Sequence, residues 1–179
     1  MELLHAHGAM PLPPYISRAA DQTDADRYQS LMAARDGAVA APTASLHFDD
    51  ELIAAVRATG AEVGTVTLHV GAGAFQPVRV GDIRQHQKHG ERYEVSEELA
   101  EQIRLTRARG GRVLAIGTTV VRALESAAKA LDPRQSDRIV ATGWSESRLF
   151  ITPGYRFAVV DALLTNFHLP KSTLSLIHI

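Results

Sequence analysis

Gly117-Thr118-Thr119, with Arg122 and Glu125 following on the same run, has the residue types of a binding turn. A glycine turn that opens a helix leaves backbone N–H groups pointing outward, and such a terminus attracts carboxylate or phosphate. Arg122, one turn in, can add a charge. The plainer reading is threonine capping with a surface Arg122–Glu125 pair at i+3. Thr165-Asn166-Phe167-His168-Leu169-Pro170 is the second dense stretch. Asn166 and His168 flank an aromatic ring, an arrangement that suits base recognition and also suits a capped turn.

His47, His69, His89 and His168 are imidazoles, the side-chain type that titrates near neutral pH, and Glu91 is a carboxylate close to His89 in the chain. His86, His89 and Glu91 match neither HExxH nor a zinc pattern, and no cysteine completes a ligand set. They suit acid/base work or a solvated charged loop. His69 lies on a strand beside Thr65 and Thr67, on the face opposite Val66, Leu68 and Val70. Gly71-Ala72-Gly73-Ala74-Phe75-Gln76 lacks the third glycine of a dinucleotide loop and the lysine of a P-loop. It reads as a close backbone approach to a planar or sugar ligand with Phe75 stacking, or as a tight turn over a core phenylalanine.

The elements that must position these groups alternate. Helices are expected from Asp21 or Thr23 to Ala34, from Asp49 to Gly60, from Ser96 to Gly110, after Gly117 to Leu131, and over 159–164. Strands are expected at Ala38–Ala41, Val63–Val70, Arg112–Ile116 and Leu149–Ile151. Alternation of this kind predicts an α/β fold with a mostly parallel sheet, helical crossovers and a partial (β/α) barrel. Strand C-terminal ends would then carry Pro42-Thr43, Gly71 to Gln76, Gly117 to Thr119 and Thr152 to Tyr155 on one face.

Composition narrows the function. The chain has 179 residues, 45% hydrophobic, with a formal net charge of −1. Near-neutral charge supplies no global footprint for nucleic acid, so any RNA contact comes from a local patch or a missing part. The absence of cysteine excludes disulfides and thiolate chemistry. There is no apolar run of membrane-spanning length and no signal peptide, so the cytoplasm is the expected location.

The runs HGAMPLPPYISR, GAVAAPTASLHFDDEL, VTLHVGAGAFQPVRV, ERYEVSEELA, GGRVLAIGTTVVRALESAA and ITPGYRFAVVDALLTNFHLPKSTL together resemble the S-adenosylmethionine:tRNA ribosyltransferase-isomerase family of queuosine biosynthesis. They extend from His5 to Leu174. The resemblance implies transfer and isomerisation of the ribosyl part of S-adenosylmethionine onto 7-aminomethyl-7-deazaguanine at the tRNA wobble position. Epoxyqueuosine-tRNA, adenine and methionine are the implied products. It implies no metal, no membrane and a monomer at full length. It also implies that residues 1–173 are the second half of an α/β catalytic domain, with the family's inserted β-barrel domain absent and 174–179 a non-native tail. The site would draw on Pro42, Thr43, Gly71, Gly73, Phe75, Gln76, Gly117, Thr118, Thr119, Arg122, Tyr155, Thr165, Asn166 and Phe167 for binding. Proton transfer would fall to the histidines and glutamate named above. Phe75, Tyr155 or Phe167 would stack on adenine or the tRNA base. Thr118, Thr119 and Arg122 would hold the methionine carboxylate or a phosphate. The alternatives are an inactive remnant or RNA-binding module of the same ancestry, and a nucleotide or sugar-phosphate enzyme on a similar partial barrel.

Overall fold

A computed structural model describes residues 7–13, 16–71, 90–135 and 137–167. Helix α1 (Gln22–Arg27) opens on a capping box: the Asp21 carboxylate accepts from Thr23 N–H, and Asp24 returns a bond to the Asp21 N–H. It stops well short of Ala34, because the chain turns at Tyr28 and Ser30 caps a further turn. The expected strand 38–41 is instead a bend. Val39 and Ala40 both donate to the single carbonyl of Val70. A short 3-10 helix, Thr43–His47, follows Pro42. Helix α2 (Asp50–Ala58) and helix α3 (Glu97–Ala108) begin where expected. Asp49 accepts from Leu52 N–H at 2.8 Å, and Ser96 from Leu99 N–H at 3.1 Å.

Five strands are described: β1 (Thr67–His69), β2 (Glu91–Val95), β3 (Leu114–Ile116), β4 (Gly143–Ser147) and β5 (Ala162–Leu164). Sheet order corrects the parallel expectation. Strands β1-β2-β4 form an antiparallel sheet, and only β3-β5 is a parallel pair. The alternating faces around His69 belong to a half-solvated antiparallel strand rather than to a parallel strand covered on both sides. The chain is a mixed α/β structure.

Two further segments changed type. Residues 149–151 are not a strand; the pairing lies earlier, at β4. The stretch 159–164 is not a helix; it ends in β5. Asp161 explains the second change. Its carboxylate accepts from Val113 N–H at 2.6 Å and from Arg107 at 2.8 Å, while its own N–H donates to Val113 O. These bonds hold the segment extended beside β3. The β-branched Val159 and Val160 favour that backbone.

Helix α4 (Thr118–Lys129) packs against strands of both sheets. Val121, Leu124 and Ala127 join Tyr93, Val95, Ile103, Ala115, Val140, Ile151 and Val159 in the core. Because elements cover it on more than one side, its polar Arg122 and Glu125 are also buried.

Candidate functional site

The parallel pair builds the site. At the C-terminal end of β5, Leu164 O accepts from Gly117 N–H at 2.8 Å. This bond ties the strand end to the start of α4. Gly117 has φ +99°, a left-handed backbone that a side chain would strain, and it supplies the turn between β3 and α4. Among the described residues no side chain caps the α4 terminus or accepts from its first-turn N–H groups. A Cβ on Gly117 would lie 3.6 Å from Ala44, which places the 3-10 helix against this turn. That helix ends in His47, whose Nε2 lies 2.7 Å from Asn166 Oδ1.

Three separate segments thus meet: residues 43–47, Gly117 with Thr118, and 164–166. Because a carboxamide oxygen only accepts, the bond places the proton on Nε2 and leaves Nδ1 of neutral His47 as the basic nitrogen. Thr118 is buried and Thr119 half-buried; Pro42, Thr43, Thr165 and Asn166 are half-buried, and Phe167 is fully exposed.

Other expected residues sit elsewhere. Arg122 is 2% exposed and points inward, not toward the α4 terminus. Its guanidinium pairs with Glu91 and donates from Nε to Leu149 O at 2.9 Å. Burial pulls its pKa below the ordinary arginine value, and Glu91 opposes that shift. Glu125 is not its partner. The Glu125 carboxylate accepts from the N–H groups of Ala158, Val159 and Val160, each at 2.9 Å, and from Tyr155 OH at 3.2 Å. Burial first, then the Glu125 charge, pushes the Tyr155 phenol up to about 12. Its ring meets Phe157 edge-on and carries the Lys129 ammonium 4.6 Å from its centroid. His69 lies on the antiparallel sheet, its ring 5.0 Å from that of Trp144. Gly71 is exposed. Gly73, Phe75, Gln76, His89 and His168 lie outside the described residues.

Sequence reasoning did not single out Trp144 or Arg92. Both lie on strands that carried no clear pattern, although the alternation of Glu91, Tyr93 and Val95 inward was a usable signal. Among the described residues no group of three histidine, aspartate or glutamate side chains could hold a metal ion, and no helix is long and apolar enough to cross a membrane.

A glycine-turned helix start and an imidazole beside the C-terminal ends of a parallel strand pair stand where α/β folds bind ligands. The family model described as queuosine biosynthesis protein matches residues 1–178, and the chain belongs to that family. The chain is 59% identical over 172 residues to the S-adenosylmethionine:tRNA ribosyltransferase-isomerase of Burkholderia mallei (strain SAVP1), covering 96% of this chain and 47% of that protein. It is 56% identical over 174 residues to that of Burkholderia orbicola (strain MC0-3), covering 97% and 48%. The crystal structure of an S-adenosylmethionine tRNA ribosyltransferase from Thermotoga maritima is similar with a TM-score of 0.57 and 38% identity, over 75% of this chain and 40% of that one. The chain spans about half the length of the curated relatives it matches.

Proposed function

We propose that this chain contributes part of the active site of an S-adenosylmethionine:tRNA ribosyltransferase-isomerase. The reaction joins the ribosyl group of S-adenosylmethionine to the aminomethyl group of 7-aminomethyl-7-deazaguanine in tRNA, with release of adenine and methionine. The partial barrel, the cytoplasmic location and the monomeric state at full length belong to this same reading. Family membership at 59% identity supports it, and the meeting of His47, Asn166 and Gly117 carries it locally.

The chemistry asks for a base. The C–H beside a sulfonium is acidic, and its removal gives an ylide while adenine departs. His47 is our candidate, with Nδ1 as acceptor and Asn166 orienting the ring. The uncapped α4 terminus at Thr118 and Thr119 suits the methionine carboxylate. Phe167, fully exposed, suits stacking on a base. Arg122, Glu91, Glu125 and Tyr155 hold these elements in place. S-adenosylmethionine enters as substrate.

Adenine release from S-adenosylmethionine in the presence of substrate tRNA tests this reading in the relative-length protein. His47→Gln is expected to lower the rate about 100-fold or more, the usual weight of a general base. Unchanged release would remove His47 from the chemistry.

A further inference from the structure

The outer face of the antiparallel sheet carries a group that the transferase site does not use. Trp144, the chain's sole tryptophan, is 42% exposed on β4. Cross-strand register puts it on one face with Glu94 and Arg92 of β2 and His69 of β1. Arg92 places its guanidinium carbon 5.2 Å from the Trp144 ring centroid. His69 packs against the indole at 5.0 Å, tilted by 54°. Gly37 lies behind that imidazole: a Cβ there would fall 2.7 Å from Cε1 of His69. The indole is therefore held from within while part of its surface stays in water.

Each of the two carboxylates on this face has a cationic partner. Glu94 is paired with Arg35, and Glu146 with Arg148 at 3.2 Å. Arg92 has no ion pair among the described residues, although Glu146 stands opposite it in register. Among the described residues that cation is uncompensated, and it sits on an exposed aromatic ring. Aromatic surface with an adjacent arginine is how proteins hold unpaired bases: the ring stacks on the base and the guanidinium meets the phosphate. A peptide partner would need an apolar face or a complementary charge row, and this face offers neither.

We propose that Trp144 and Arg92 form a stacking platform for an unpaired base of bound RNA, buttressed by His69. The platform rests on the tRNA-modifying reading and extends it to a surface outside the His47 cluster. Because Trp144 is the chain's only tryptophan, its emission reports on the platform directly.

The test titrates the full chain with an anticodon stem-loop RNA and follows two signals: tryptophan emission, and the anisotropy of a fluorescein-labelled copy of the RNA. Saturable quenching is expected. Arg92→Gln and Trp144→Leu should each weaken binding about 10-fold, the weight of one stacked base, while Trp144→Phe retains most affinity. Thermal unfolding of each variant separates lost binding from lost fold. RNA binding that leaves the emission unchanged and ignores all three variants overturns the platform and leaves the transferase reading standing. Quenching in a relative-length protein that releases no adenine supports the platform and overturns the transferase reading. No RNA binding by either signal overturns the platform.

Discussion

Arg122 of α4 and Glu91 of β2 form a buried ion pair that fastens the helix to the antiparallel sheet. Side-chain exposures of 2% and 9% keep water from either partner. A buried pair is weak as net stabilisation, but removal of one member leaves the other charged and unsolvated. Arg122→Leu or Glu91→Gln is therefore expected to destabilise the fold by about 3–5 kcal/mol. The double variant Arg122→Leu/Glu91→Gln should cost much less than the sum of the two. Denaturant unfolding of the three proteins checks this, and strict additivity would dissolve the pair as an energetic unit.

Glu125 acts as an internal cap for a strand approach, with three backbone N–H groups and one phenol converging on it. Glu125→Gln turns one acceptor oxygen into a donor facing N–H groups, at a cost of about 1–3 kcal/mol. Thermal melts should show this loss even though the side chain keeps its shape.

Burial, with the same carboxylate second, sets a pH effect. Tyr155 titrates at about 12 in the folded chain, above its ordinary value of 10.0. A group raised in the folded state gives stability that is whole below the unfolded pKa and falls away as pH rises through the folded one. Stability should accordingly decline between about pH 10 and 12 by this term. Ultraviolet titration of the phenols should show a late step from Tyr155. Tyr155→Phe should remove that late step.

Gly117→Ala imposes a side chain on φ +99° but meets only Ala44, at 3.6 Å. Its cost is backbone strain rather than collision, about 1–3 kcal/mol. A larger effect on adenine release than on the melting temperature would tie this turn to the substrate.

Local signals in the sequence were clear where one residue decides an element. Asp49 and Ser96 announced their helices because a cap needs only its own next turn. The partners of Arg122 and Glu125 were not legible. Spacing on the helix suggested that the two meet, whereas strands and loops on different sides claim each of them. Strand β4 carries GWSES, without an apolar alternation to mark it, and its place depends on pairing with β2. Asp161 likewise turned a stretch read as helix into a strand approach by bonds to residues far earlier in the chain. For the site, His47, Thr118 and Asn166 were visible as residue types. Their meeting was not, since only the fold joins the 3-10 helix to the end of β5.

The hydrogen bond between His47 and Asn166 spans 119 positions of the chain. Loop closure over such a distance is dear in entropy, though each doubling adds only about 0.6 kcal/mol. Helices α2, α3 and α4 can form from neighbours, but this imidazole finds its partner only after the intervening sheets exist. Assembly of the candidate site is therefore expected late on the folding path. The helices are then expected to form before the contact between His47 and Asn166 closes.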